Sequence, residues 1–198
     1  MDVGFIGLGR MGRPMASNLC RRGFRLIVND INADAVSELE ALQARAARTV
    51  AEVAGAGDVI VTMLPNSAVV QAVVGGAEGV IAQARPGAVV MDMSTVDPET
   101  TDRLARQARE RGIGFVDAPV GRLASHADRG ESLFMVGAEA EDFARVKPLL
   151  EAMGKVPVVF RKFVTGYVAN RIQEAIALET FRLLDEGMAP IIVPAGAS

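Results

Sequence analysis

Six residues near the amino terminus, Gly7-Leu8-Gly9-Arg10-Met11-Gly12, constrain this chain more than any other stretch. A GxGxxG spacing alone is a weak sign, because glycine-rich turns are common. Its surroundings give it meaning. The apolar run Val3-Gly4-Phe5-Ile6 before it reads as a short buried strand. Residues 13–22 after it read as a helix, with Pro14 in the first turn, where a missing N–H costs nothing. Between a strand and a helix, Gly7 permits a tight turn and Gly9 lets the backbone approach a pyrophosphate. Gly12 lets the helix pack closely on the strand. The helix N-terminus then offers free N–H groups, and the positive end of its dipole, to the phosphates. A second buried strand over 24–28 leads to Asn29-Asp30, where an acid accepts hydrogen bonds from the adenosine ribose. A carboxylate there repels a 2′-phosphate, and no arginine follows it directly. These residues predict a dinucleotide site that takes NAD(H) in preference to NADP(H).

The rest of the chain agrees with that opening. A helical pattern over 33–44 is followed by apolar strands over 58–64, 88–93 and 113–116, with helices over 67–74 and 98–111 between them. Asp97 stands where the second of these helices needs an N-cap. Continuous apolar strands separated by helices predict a parallel sheet covered on both faces, an α/β doubly wound Rossmann sheet. Strands over 133–136 and 156–160 extend it, with a helix over 139–153 between them. The Rossmann domain is therefore expected over 1–160. Beyond it the pattern changes. Residues 166–186 contain no breaker, and Val168, Ile172, Ile176 and Leu183 fall on one helical stripe, followed by the apolar tail Ile191-Ile192-Val193. Residues 161–198 thus read as one long helix and a short tail, with no full second domain. An apolar stripe of that length needs a partner, so a two-fold homodimer through this helix is expected.

Composition narrows the function classes. The formal charge of −3 over 198 residues gives no electrostatic case for binding nucleic acid or anionic membrane. No apolar run is long enough to span a bilayer, and no charged leader precedes the first strand. The single cysteine, Cys20, excludes an internal disulfide and fits a reducing cytoplasm. It reads as a small core residue. No metal site is expected, and the lone histidine, His126, reads as a solvated loop residue.

With these residues in hand, a family resemblance is visible. The stretch Gly4-Phe5-Ile6-Gly7-Leu8-Gly9-Arg10-Met11-Gly12-Arg13-Pro14-Met15-Ala16-Ser17-Asn18-Leu19 resembles the N-terminal signature of the β-hydroxyacid dehydrogenases, the group of 3-hydroxyisobutyrate, tartronate semialdehyde and sulfolactaldehyde reductases. Three later stretches agree in order and spacing: Thr62-Met63-Leu64-Pro65-Asn66, Asp92-Met93-Ser94-Thr95 and Asp117-Ala118-Pro119-Val120. The resemblance covers about residues 1–155. It implies that Met63, Leu64 and Pro65 lie beside the adenosine and nicotinamide ribose, and Ser94 and Thr95 beside the nicotinamide. It further implies that Thr95, Gly121 and Arg122 bind a small acidic substrate. Most of the family has Ser-Gly-Gly after the last motif; Gly121-Arg122 stands here instead, as in the sulfolactaldehyde reductase branch. An arginine can clamp a carboxylate or hold a sulfonate with its fork of donors.

The second departure is larger. The family keeps a proton-donating lysine on the helix after its Rossmann domain, and Asn170 falls at that place here. Gly166-Tyr167-Val168-Ala169-Asn170-Arg171 resembles instead the helix that opens the C-terminal domain of the 3-hydroxyacyl-CoA dehydrogenases. Asn170 can orient a carbonyl but supplies no proton near neutral pH. Lys162 precedes the helix and reads as a solvated strand-end residue. The chain thus joins the Rossmann domain of one branch to the interdomain helix of another, as an engineered chimera, a natural recombinant or a truncated product would. Three functions stay open: a weak NAD-dependent dehydrogenase of short 3-hydroxy acids or semialdehydes, a dinucleotide-binding scaffold without turnover, and an interaction module built on the helix.

Overall fold

The sheet grows outward from β1 (Asp2–Ile6), whose Val3, Phe5 and Ile6 are almost wholly shielded from water. The structure is a computed structural model that describes residues 1–121 and 124–154 and the backbone of 158–160. Its first compact unit is Met1–Phe163. In chain order, β1 leads into α1 (Gly12–Arg21), β2 (Arg25–Asn29), α2 (Ala33–Glu40), β3 (Arg45–Ala46) and α3 (Val50–Ala56). Then come β4 (Val59–Thr62), α4 (Ser67–Gly75), α5 (Val80–Gln83), β5 (Val89–Asp92), α6 (Pro98–Glu110) and β6 (Gly114–Asp117). The described part closes with β7 (Val120–Gly121), α7 (Ala124–Asp128), β8 (Leu133–Gly137), α8 (Ala140–Met153) and β9 (Val158–Phe160).

Across the sheet the strands run β3-β2-β1-β4-β5-β6-β8-β7, with β9 beside β8. The order reverses between β1 and β4, so a crevice opens above their carboxyl ends; this is where a doubly wound sheet binds its ligand. Alternate side chains feed two cores. Phe5, Val28, Val61 and Met91 pack beneath α1, α2 and α8 with Met15, Leu39 and Leu150. Ile27, Ile60 and Val90 pack with Val53, Val74 and Leu104 of α3, α4 and α6. Strands buried on both faces have no polar side to display, which is why their sequences read as continuous apolar runs.

Three of the departures from the sequence-based expectations shape the sheet and its approach. First, the parallel sheet stops at β6, because β8 pairs antiparallel to it through Asp117 and Gly137. A parallel return needs a crossover that carries the chain back to the far end of the sheet. The five residues of α7 rise only ~7.5 Å, against ~16 Å for a five-residue strand, so the chain re-enters from the end it left. Second, α2 ends at Glu40 rather than continuing to residue 44. Gln43 takes a left-handed conformation (φ 68°), and the chain turns into β3, which pairs with β2. Third, α3 had no counterpart in the apolar pattern. Its signal was polar: Thr49 caps the helix by accepting the Glu52 N–H, and the Glu52 carboxylate reaches back to the N–H of Arg48. The expected helix over 166–186, its stripe, the tail at 191–193 and Lys162 lie outside the described residues.

Candidate functional site

The carboxyl ends of β1, β2 and β4 surround a cleft of about 550 Å³. Gly7, Gly9, Arg10, Met11 and Gly12 form one side, Asn29 and Asp30 the end, and Met63, Leu64 and Pro65 the opposite side. Ten of the thirteen residues predicted to bind the cofactor therefore meet in one space. Leu8 belongs to the loop but turns its side chain into the core, at 2% exposure. Its backbone N–H instead donates to Asp30 Oδ2, while the Asn32 N–H donates to Oδ1 at 2.7 Å. Both carboxylate oxygens are thus set at the lip of the glycine loop. Asn29 sends its side chain the other way, donating to the carbonyl of Ala47 at 2.9 Å and tying β2 to the chain after β3.

The three glycines are required for different reasons. Gly7 has φ +96°, and a Cβ there would collide with the carbonyl oxygen of Met63. A Cβ on Gly12 would collide with the carbonyl oxygen of Gly7. Gly9 is different, since a Cβ there would meet nothing within 4 Å. Protein packing accounts for the first and third glycines and leaves the second unexplained. A phosphate drawn against the bare backbone supplies the missing reason. The start of α1 agrees. Met11 makes no side-chain cap, as is also the case for Gly79 before α5 and Glu139 before α8. The Arg13 N–H already donates to the carbonyl of Gly9 and Pro14 has no N–H, so the loop N–H groups before Arg13 are the ones left for an anion. The residues present fit a dinucleotide.

Sequence reasoning missed the apolar wall of this cleft. Ile31, Val50, Val69 and Val73 line it, and Ile31 stands fully in solvent. An isoleucine fully exposed beside Asp30 gives this wall an apolar surface open to a ligand. The available signal was its place after Asp30; Val50 was hidden with the unrecognised α3.

On the far side of β4 the chemistry is buried. Ser94 is wholly enclosed, with its hydroxyl accepting the Leu64 N–H at 2.9 Å and donating to Asp92 Oδ1 at 2.6 Å. Thr95 follows it at the surface. Neither lines the cleft around the glycine loop. Gly121 lies on β7 beside Leu133 of β8, away from that cleft. Arg122 and Asn170 lie outside the described residues. His126 is not a solvated loop residue: it sits in α7, half-buried, and its Nδ1 is shielded without a partner among the described residues.

Two acids sit side by side beneath these loops, Asp92 on β5 directly beside Asp117 on β6. Burial pushes the Asp92 carboxyl above its ordinary range despite hydrogen bonds from Ser94 and Thr62. Burial first, then the neighbouring charges of Asp92 and Asp102, pushes Asp117 up to about 7. Asp97 goes the other way, down to about 2, held by the Ser67 hydroxyl and by Thr100 as it caps α6. Among the described residues no cluster of His, Cys, Asp and Glu could hold a metal ion, and no helix is long and apolar enough to cross a membrane.

Comparison with known proteins agrees with this geometry. Residues 2–167 match the family model described as the NAD binding domain of 6-phosphogluconate dehydrogenase. The 3-sulfolactaldehyde reductase of Escherichia coli is 43% identical over 152 residues, 77% of this chain and 51% of the relative. The mitochondrial 3-hydroxyisobutyrate dehydrogenase of Mus musculus is 40% identical over 168 residues, 85% of this chain and 50% of the relative. A solved structure of Mycobacterium tuberculosis 3-hydroxyisobutyrate dehydrogenase with L-serine superposes with a TM-score of 0.79 at 28% identity, covering 95% of this chain and 66% of that one. The chain spans about half the length of the curated relatives it matches. The glycine loop and the switch-point cleft fit an NAD-binding sheet, and the chain belongs to the β-hydroxyacid dehydrogenase family.

Proposed function

We propose that this chain supports NAD-dependent oxidation of a short 3-hydroxy acid, or reduction of its semialdehyde, with weak turnover. The carrying observation is the cleft at the β1–β4 switch point, in which Gly7 to Gly12, Asp30 and residues 63–65 converge. In this reading Arg10 and the α1 N-terminus hold the diphosphate, Asp30 the adenosine ribose, and residues 63–65 the path toward the nicotinamide. When bound, NAD supplies the hydride acceptor, and the chain's own part is positioning and electrostatics. Ser94 and Thr95 would border the nicotinamide, with Thr95 free at the surface to meet substrate. Gly121 and Arg122 would hold its acid group, carboxylate or sulfonate. Relatives named for 3-hydroxyisobutyrate and 3-sulfolactaldehyde support an acidic three- or four-carbon substrate class.

Asn170 stands where the family keeps its proton donor, and that favours a second reading, a dinucleotide-binding scaffold without turnover. General acid–base assistance is worth ~100- to 10,000-fold, so its loss leaves little activity. The test is to mix the protein with NAD⁺ and a panel of 3-hydroxy acids that includes a sulfonate, and follow the absorbance of the reduced cofactor. Slow turnover of one panel member supports the dehydrogenase; NADH binding with no turnover anywhere supports the scaffold. A homodimer through the Val168, Ile172, Ile176 and Leu183 stripe belongs to the same proposal. Light scattering that gives a monomer at micromolar concentration removes it. A cytoplasmic location completes the reading, supported by the free thiol of Cys20.

A further inference from the structure

The last register position of the parallel strands forms a transverse row: Asn29 on β2, Ile6 on β1, Thr62 on β4, Asp92 on β5 and Asp117 on β6. Side chains paired in this way lie on one face of the sheet. Four of the five are polar, at a depth where the positions below them are Ile27, Ile60 and Val90. Asp92 is the most enclosed of the acids, at 1% exposure. Three donors converge on its Oδ1: the Thr62 hydroxyl at 2.8 Å, the Ser94 hydroxyl at 2.6 Å and the Ser94 N–H at 3.1 Å. The Ser94 oxygen in turn accepts the Leu64 N–H. One buried acid therefore fastens the end of β4, the loop after β5 and, through Ser94, the loop after β4.

A hydrophobic residue would fill that space at less cost, since a buried carboxyl gives up its hydration. The arrangement makes sense if it sets the relation between two loops. We propose that Asp92 is a positioning residue for the nicotinamide side of the site: through Ser94 it fixes the loop at 63–65 against the loop at 94–95, between which the nicotinamide riboside is received. This rests on the cofactor orientation proposed above. The adenosine side has anchors that do not pass through Asp92, the bonds of Asp30 to Leu8 and Asn32.

That distinction supplies the test. NADH and ADP-ribose share the adenosine, the diphosphate and the second ribose, and differ by the nicotinamide. Affinities of the full chain for both are measured by calorimetry for wild type, Asp92→Ala, Asp92→Asn and Ser94→Ala, with melting followed in parallel. Asp92→Ala should weaken NADH by about ten-fold and ADP-ribose by less than about two-fold. Asp92→Asn keeps the Oδ1 acceptor and should restore the wild-type ratio of the two affinities. If Asp92→Ala does not fold, Ser94→Ala carries the same expectation, because it cuts the link from Asp92 through the Ser94 hydroxyl to Leu64 and leaves the Thr62 hydroxyl and the Ser94 N–H on Asp92. A generic loss of stability moves the melting point and both ligands together, so an unchanged NADH to ADP-ribose ratio in these variants overturns the proposal. Wild type binding NADH no more tightly than ADP-ribose sinks the cofactor orientation itself, and the role of Asp92 with it.

Discussion

Replacing Asp117 with asparagine should stabilise this protein at alkaline pH and do little in acid. The carboxyl rises from 3.8 to about 7 on folding, chiefly through burial, with Asp92 and Asp102 adding repulsion. Between those two values the folded chain holds a proton that the unfolded chain has released. Stability contributed by this group is therefore fully present below about pH 4 and is lost as the pH climbs through 7. A rise of that size corresponds to about 4 kcal/mol at most. Asp117 keeps part of its surface in water, and screening reduces this to roughly 2 kcal/mol. Asparagine has nearly the same shape and never ionises, and it also removes the repulsion felt by Asp92. Urea unfolding of wild type and Asp117→Asn, at about pH 4.5 and about pH 8, reads the effect directly. The variant should gain ~1–2 kcal/mol over wild type between the two conditions, with an unchanged denaturant slope. A difference between the proteins that does not vary with pH would refute the reasoning. So would a wild type that gains on the variant as the pH rises.

The glycine loop supplies a paired prediction. Gly12→Ala, forced into the carbonyl of Gly7, should lower stability by roughly 1–3 kcal/mol, whereas Gly9→Ala has open space and should fold to within ~0.5 kcal/mol of wild type. Gly9→Ala should nevertheless weaken NADH by about ten-fold, because the diphosphate needs the same space; fluorescence titration that finds full affinity removes the assignment of that backbone to the phosphates. At the other end of the cleft, Asp30→Ala should narrow the preference for NADH over NADPH by about ten-fold. Parallel titrations with the two cofactors check this, and an unchanged preference in the variant shows that Asp30 does not read the ribose.

Much of the candidate site was legible because it is local. Gly7, Gly9 and Gly12 answer to one turn and one helix start, and Asp30 stands at the end of a strand whose apolar run is visible by itself. The Asp97 cap of α6 is equally local, since a helix N-terminus needs its acceptor within three residues. Such features depend on neighbours in the chain, so residue type and spacing suffice to find them. The family motifs at 62–66, 92–95 and 117–120 also lay in plain view, although what their side chains do there did not.

The Rossmann sheet, its glycine loop and the place of Asp30 at the end of β2 were determined by the sequence alone, through hydrophobic periodicity and the special backbone freedom of glycine. Tertiary structure decided the rest. Nothing in residues 41–44 forbids the helix from continuing; the pairing of β3 with β2 ends it. No pattern within residues 133–137 records that β8 runs antiparallel, because direction follows from where the short α7 leaves the chain. The wall of Ile31, Val50, Val69 and Val73 gathers side chains from separate elements. Asp92 and Asp117 read singly as ordinary strand-end acids, and only their register makes them neighbours. Register joins strands that are distant in sequence, and contacts made across it, together with the burial that comes with them, are settled only when the chain has closed on itself.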